Sequence, residues 1–224
     1  MNSLENDQRL KTILARLHRQ SEAQTELLVS YIRAEGYKSI GGTEADLTAG
    51  RGFWRDKMVA LEPAKAEFCY ALCRALDVRR AVECGTSYGV STLYLAAAIR
   101  DNGGGVVIGT EYETEKVAKA HAHFSEAGLS EFIDLREGDL RETLKILEAP
   151  VDFLLMDIWS PLVRPALELV APHMRKGAII IADNTGAHRE AYGDYFAYVN
   201  APANGFHTQT LPFDGGLEMS VKLG

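Results

Sequence analysis

The chain has 224 residues and a formal net charge of −7 at pH 7, with 46% hydrophobic and 25% charged residues. That length suits one large α/β domain able to bury a core without staples, and the acidic balance argues against a general affinity for nucleic acid or an anionic membrane, both of which need a positive field. Three cysteines, a charged opening stretch and the lack of any apolar run near the ~20 residues of a membrane helix point to a reducing, cytoplasmic setting.

Leu10, Ile13, Leu14 and Leu17 fall at helical spacing, as do Leu27, Leu28, Tyr31 and Ile32. They predict helices over 5–18 and 22–34. A connector rich in glycine (Gly36, Gly41, Gly42, Gly50, Gly52) follows, read as a plain loop or a cover over a site. Residues 1–54 thus stand apart from a domain over 55–224, as a cover or a dimer contact. Pro63 suits the first turn of a helix that runs to Leu76 and buries Phe68, Cys69, Leu72 and Cys73. Cys69 and Cys73 lie four apart on one helix face, which fits buried thiols better than a zinc or redox pair. Strands are then predicted at 81–84, 106–110, 132–135, 151–156, 178–182, 207–211 and 217–222. Helices alternate with them at 90–99, 114–127, 140–147, 161–170 and 190–200. This alternation predicts a doubly wound, seven-stranded, mostly parallel sheet. The Asp214-Gly215-Gly216 turn implies a closing antiparallel hairpin.

In such a sheet ligands bind at the carboxyl ends of the strands. The first strand ends on Glu83-Cys84-Gly85, and Gly85-x-x-x-Gly89 opens a helix. Alone, that spacing favours a structural βα turn over a ligand loop. It lacks the Gly-x-Gly-x-x-Gly spacing that seats a pyrophosphate, which weighs against a nicotinamide-dependent oxidoreductase. Glu111, closing the second strand, offers a carboxylate to a ribose diol. Asp157 and the Asp183-Asn184 pair close two further strands. If those strands are neighbours, their ends lie about 5 Å apart. The three then form a hard, all-oxygen set suited to Mg²⁺, Mn²⁺ or Ca²⁺. Helix capping explains the same residue types.

The run Val82-Glu83-Cys84-Gly85-Thr86-Ser87-Tyr88-Gly89-Val90-Ser91 resembles motif I of the class I S-adenosylmethionine-dependent methyltransferases, which have a Rossmann-like fold. More narrowly it is similar to the cation-dependent catechol and caffeoyl-CoA O-methyltransferases, over 55–222. The resemblance implies that Glu83, Gly85 and Ser91 face the methionine part of the donor, and Glu111 and Tyr112 the ribose. It puts Gly138 and Asp139 at the adenine edge and Trp159 over the base. A divalent cation would be held by Asp157, Asp183 and Asn184. Glu218 would contact an acceptor hydroxyl. Where the catechol-type enzymes carry a lysine base, this chain has Ser160. With that lysine missing, either the metal held by the candidate catalytic residue Asp157 ionises the acceptor, or another residue helps, with His188 the candidate, or the reaction needs no base. The reading is methyl transfer from S-adenosylmethionine to a hydroxyl of a small phenolic or catechol-like acceptor, by a homodimer that binds neither nucleic acid nor membrane. A metal-independent methyltransferase of the same fold and a non-catalytic S-adenosylmethionine-binding protein remain as alternatives.

Overall fold

A computed structural model describes residues 4–36, 42–148 and 150–224. Seven strands form one sheet: β1 (Arg80–Cys84), β2 (Val106–Glu111), β3 (Ile133–Glu137), β4 (Val151–Met156), β5 (Met174–Asp183), β6 (Phe206–Leu211) and β7 (Leu217–Lys222). Their order is β3-β2-β1-β4-β5-β7-β6. The first five are parallel, and β7 runs antiparallel to both β5 and β6. The expected doubly wound sheet with a closing hairpin is therefore present.

The central strands are apolar over most of their length because both faces are covered. Phe153 and Leu155 of β4 and Ile179 and Ile181 of β5 pack on one side. Leu154, Met156, Ile180 and Ala182 pack on the other. The first side is covered by α1 (Gln8–Glu22), α4 (Pro63–Ala75), α5 (Val90–Asp101) and α6 (Thr114–Ala127), and the second by α7 (Leu140–Thr143), α8 (Ser160–Val170) and α9 (Gly193–Val199). Cys69 and Cys73 are buried and free, as their spacing implies.

Three elements depart from expectation, each for a local reason. The helix expected from residue 5 begins at Gln8, because the Asp7 carboxylate accepts the Leu10 N–H at 3.0 Å and caps it there. The helix expected over 140–147 stops at Thr143. The Arg136 guanidinium donates to the carbonyls of Thr143 and Ile146, at 2.8 and 2.7 Å, and draws the chain out of helical register. The glycine-rich connector is not all loop. Thr43 caps a helix, α3 (Glu44–Trp54), by accepting the Asp46 N–H at 3.2 Å while donating its hydroxyl to the Asp46 carboxylate at 2.7 Å. Residues 37–41 of that connector lie outside the described residues.

The N-terminal helices divide their roles. Leu10, Ile13, Leu14 and Leu17 of α1 are at most 4% exposed and belong to the main core. The second helix, α2 (Thr25–Glu35), has no buried residue, and with α3 it stands over the carboxyl edge of the sheet. No helix among the described residues is long and apolar enough to cross a membrane.

Candidate active site

The strand order reverses between β1 and β4, so the loops leaving these two strands diverge and open a crevice. Gly85 sits at that point with φ +95°, and a Cβ there would lie 2.0 Å from the Asp157 carbonyl oxygen. Only a residue without a side chain lets β1 pass β4 this closely. Ser87, also at positive φ, turns its N–H to the Glu111 carboxylate at 2.8 Å. The other Glu111 oxygen accepts the N–H groups of Tyr112 and Glu113, both at 2.8 Å. Glu111 is thereby fixed at the end of β2.

Glu83 lies beneath the loop, fully buried. One carboxylate oxygen accepts from the hydroxyls of Thr86 and Thr92, at 2.8 and 2.5 Å. The other has no partner among the described residues. Burial pushes this carboxyl up, and the hydroxyls of Thr92, Ser91 and Thr86 oppose that rise. An unpaired buried acceptor costs on the order of 1–3 kcal/mol, so the site has a standing demand for a donor.

The crevice opens into a cavity of about 710 Å³, within the range of small-molecule sites. Gly85, Ser87, Glu111, Tyr112, Gly138, Asp139 and Trp159 line it, together with Asp157, Ser160, Asn184 and His188. Leu28 and Ile32 of α2 and Leu47, Arg51 and Trp54 of α3 complete the wall. The Trp54 and Trp159 rings meet at 5.2 Å, and Phe53 stacks on Tyr31 at 3.6 Å. Arg51 ties α3 to the rim through two hydrogen bonds to Glu113, at 2.6 and 3.1 Å, and lies 4.3 Å from the Tyr112 ring centre. Arg141 bridges Asp139 to Glu44 of α3, and its guanidinium holds the Asp139 carboxyl below its ordinary value.

The parallel pairing of β4 and β5 brings Asp157 and the Asp183-Asn184 pair to the same edge. A fourth residue joins them. Lys65 of α4 is 1% exposed, and its ammonium donates to Asp183 Oδ1 at 2.7 Å and lies 3.6 Å from Glu62. Asn184 donates to Asp183 Oδ2 at 2.8 Å. Burial raises the carboxyls of both aspartates; Asp183 and Glu83 push Asp157 up further, while Lys65 pulls both down. Burial lowers the His188 imidazole, and Asp183 opposes the effect.

The expected metal ligands thus come together, yet their arrangement does not fit a divalent ion. Both Asp183 oxygens already accept hydrogen bonds within the protein. An ion on that carboxylate would lie within about 4 Å of the Lys65 charge, a repulsion on the order of 8 kcal/mol at an effective dielectric constant of 20. No cluster of three or more His, Cys, Asp or Glu suited to a metal occurs among the described residues.

Of the remaining candidates, Ser91 is buried beside Gly85 and Asp157 in a narrow crevice next to the main cavity. Glu218 is not brought to the cavity. It is 1% exposed, and its two oxygens accept from Thr208 and Thr210, both at 2.5 Å, on the α9 side of β7. Sequence reasoning missed Lys65, Arg51 and Trp54. Lys65 did leave a signal: with Cys69 and Cys73, four and eight residues on, it shares the buried stripe of α4.

Comparison with known proteins agrees with this geometry. A family model described as a methyltransferase domain matches residues 82–185, from β1 to the loop after β5. Those residues are similar to a methyltransferase domain. The chain is 27% identical over 130 residues to a catechol O-methyltransferase from Niastella koreensis, covering 56% of this chain and 58% of that protein. It is 27% identical over 127 residues to a catechol O-methyltransferase from Mycobacterium tuberculosis, covering 56% and 57%. The matches therefore span under two thirds of these relatives' own length. The O-methyltransferase of Bacillus cereus, solved in complex with S-adenosylhomocysteine, superposes with a TM-score of 0.67 at 17% identity, covering 92% of this chain and 99% of that one. The chain thus shares the Rossmann-like fold of that structure.

Proposed function

We propose that the chain transfers a methyl group from S-adenosylmethionine to a hydroxyl of a small, flat, apolar acceptor of phenolic or catechol-like character. The observation that carries this reading is the single cavity joining the Gly85–Gly89 loop and Glu111 to Asp157 and His188. The donor end suits the donor's three parts. Glu111 is held by three backbone N–H groups and keeps an acceptor site on Oε2 for a ribose hydroxyl, Trp159 and Tyr112 offer aromatic surface to the base, and the unpaired Glu83 oxygen answers an ammonium or its bound water. The catechol O-methyltransferase relatives support an oxygen acceptor, and Leu28, Ile32, Trp54 and Leu162 give its end of the cavity an apolar wall.

The methylsulfonium, when bound, supplies the electrophile: its S–CH₃ bond breaks, the electron pair stays on sulfur as a neutral thioether, and an O–CH₃ bond forms. The chain has to aim the acceptor oxygen in line and remove its proton. His188 is suited to the second task. Its lowered pKa leaves the imidazole neutral at pH 7, with a ring nitrogen able to accept the hydroxyl proton. Ser160 is not a base at this pH. A divalent-cation form of the reaction would have to displace Lys65 from Asp183, so the metal-independent form is favoured.

The test is turnover of methyl-labelled S-adenosylmethionine against a panel of phenols and catechols, with calorimetry of S-adenosylhomocysteine alongside. Labelled methyl ether is expected with at least one acceptor, and His188→Asn should cut kcat by about 10²-fold or more while leaving cofactor affinity unchanged. Tight cofactor binding with no transfer to any acceptor would favour a non-catalytic binding protein.

A further inference from the structure

Lys65 belongs to neither the donor loop nor the cavity wall, and its burial needs an explanation. A lysine is almost never fully buried without paired charge. Here α4 drives its side chain under the sheet edge, and the ammonium ends 2.7 Å from Asp183. The β6–β7 turn closes over it: Nζ is 3.8 Å from where a Gly215 Cβ would stand, and the Asn184 side-chain oxygen is 2.7 Å from the same point. Asn184 is held at φ +58°, in the left-handed region. Its amide is turned so that it donates to Asp183 and not outward. The arrangement is closed: one internal cation among Asp183, Glu62 and Asp157, with both Asp183 oxygens engaged.

We propose that Lys65 is the resident cation of the acceptor side, its ammonium taking the place beside Asp183 that a divalent ion would otherwise hold, so that the chain works without metal. This rests on the methyl-transfer reading for its consequence in turnover, and on the Lys65–Asp183 geometry for the site itself. Lys65 is a positioning residue: it neutralises Asp183 and keeps Asn184 and the loop leading to His188 in place, without touching the acceptor. A lysine that substitutes for a metal makes a specific forecast. Removing its charge leaves a carboxylate pair and an amide oxygen around an empty cationic position, which is a hard-ion site.

The experiment titrates Mn²⁺ into the full chain, followed by calorimetry and by the electron paramagnetic resonance of free Mn²⁺, for the wild type, Lys65→Met and Lys65→Arg. S-adenosylhomocysteine calorimetry on each serves as the check of integrity. The wild type and Lys65→Arg should show no Mn²⁺ binding tighter than millimolar, and wild-type turnover should survive EDTA. Lys65→Met should gain a Mn²⁺ site at least tenfold tighter. Micromolar Mn²⁺ binding by the wild type, EDTA-sensitive turnover with cofactor binding intact, or a folded Lys65→Met that gains no Mn²⁺ affinity would each overturn the proposal. Should Lys65→Met fail to fold, the wild-type titration alone decides between the two outcomes. Failure of the methyl-transfer reading looks different: no S-adenosylhomocysteine binding by the wild type, whatever Mn²⁺ does.

Discussion

Replacing Gly85 by alanine tests the loop geometry at its tightest point. Two costs follow from the structure. At φ +95° any Cβ is strained, at about 1–3 kcal/mol. The new methyl would also stand 2.0 Å from the Asp157 carbonyl oxygen and 3.0 Å from its carbon. That neighbour is backbone, at the end of a fully buried strand and pinned by the Asp157 N–H donating to the Cys84 carbonyl at 3.1 Å, so it cannot rotate aside. Forcing it back by about 1 Å adds a further overpacking cost of about 1–3 kcal/mol. The sum, about 4 kcal/mol, lowers Tm by about 8–16 °C for a domain of this size. It also parts β1 from β4 where the donor's methionine end is proposed to sit, so affinity for S-adenosylhomocysteine should fall at least tenfold. Differential scanning calorimetry and isothermal titration measure the two effects. Gly52→Ala is the matched control. It lies within α3 with nothing inside 4 Å of its would-be Cβ and should gain about 0.5–1 kcal/mol. A Gly85→Ala protein with Tm within about 2 °C of the wild type and unchanged cofactor affinity would refute the reasoning.

Two further outcomes are expected. Glu218→Gln should destabilise the closing hairpin by about 1–3 kcal/mol, because one of its two threonine hydroxyls loses a charged acceptor, yet leave KM for both substrates unchanged; a rise in acceptor KM without loss of Tm would put Glu218 in the site after all. His188 has a folded pKa below the ordinary 6.5, so between that lowered value and 6.5 the unfolded chain binds more protons. Its contribution to stability is therefore full above pH 6.5 and is lost as pH falls through the lower value. In His188→Asn the fall of Tm between pH 7 and pH 5 should be shallower than in the wild type, and parallel curves for the two proteins would sink the assignment.

Some of this protein was legible in its sequence because local rules decide it. The alternation of apolar runs and amphipathic helices gave the strand count, since strands buried on both faces are mostly apolar. Gly85 and Gly89 marked a tight turn. The residues that close β1, β2, β4 and β5 had to gather on one edge once the sheet was parallel, so Glu83, Glu111, Asp157 and Asp183 could be grouped from strand ends alone. Other features were present and under-read. Thr43 with Asp46 signals a helix start inside a stretch whose glycines suggest a loop, and Lys65 sits on the buried stripe of α4.

What the tertiary structure decided were the partners, which depend on distances between elements far apart in the chain. Lys65 and Asp183 are separated by 118 residues, and only the packing of α4 against the sheet puts ammonium on carboxylate. Glu218 faces away from the cavity because β7 pairs with β5 in a register that sets it opposite Ala182 and beside Thr210. A one-residue slip would turn it to the other face. The sequence alone determined that carboxylates meet at the end of the sheet. Whether they meet a metal ion or a lysine is fixed by which helix reaches that edge, and no local pattern encodes that reach.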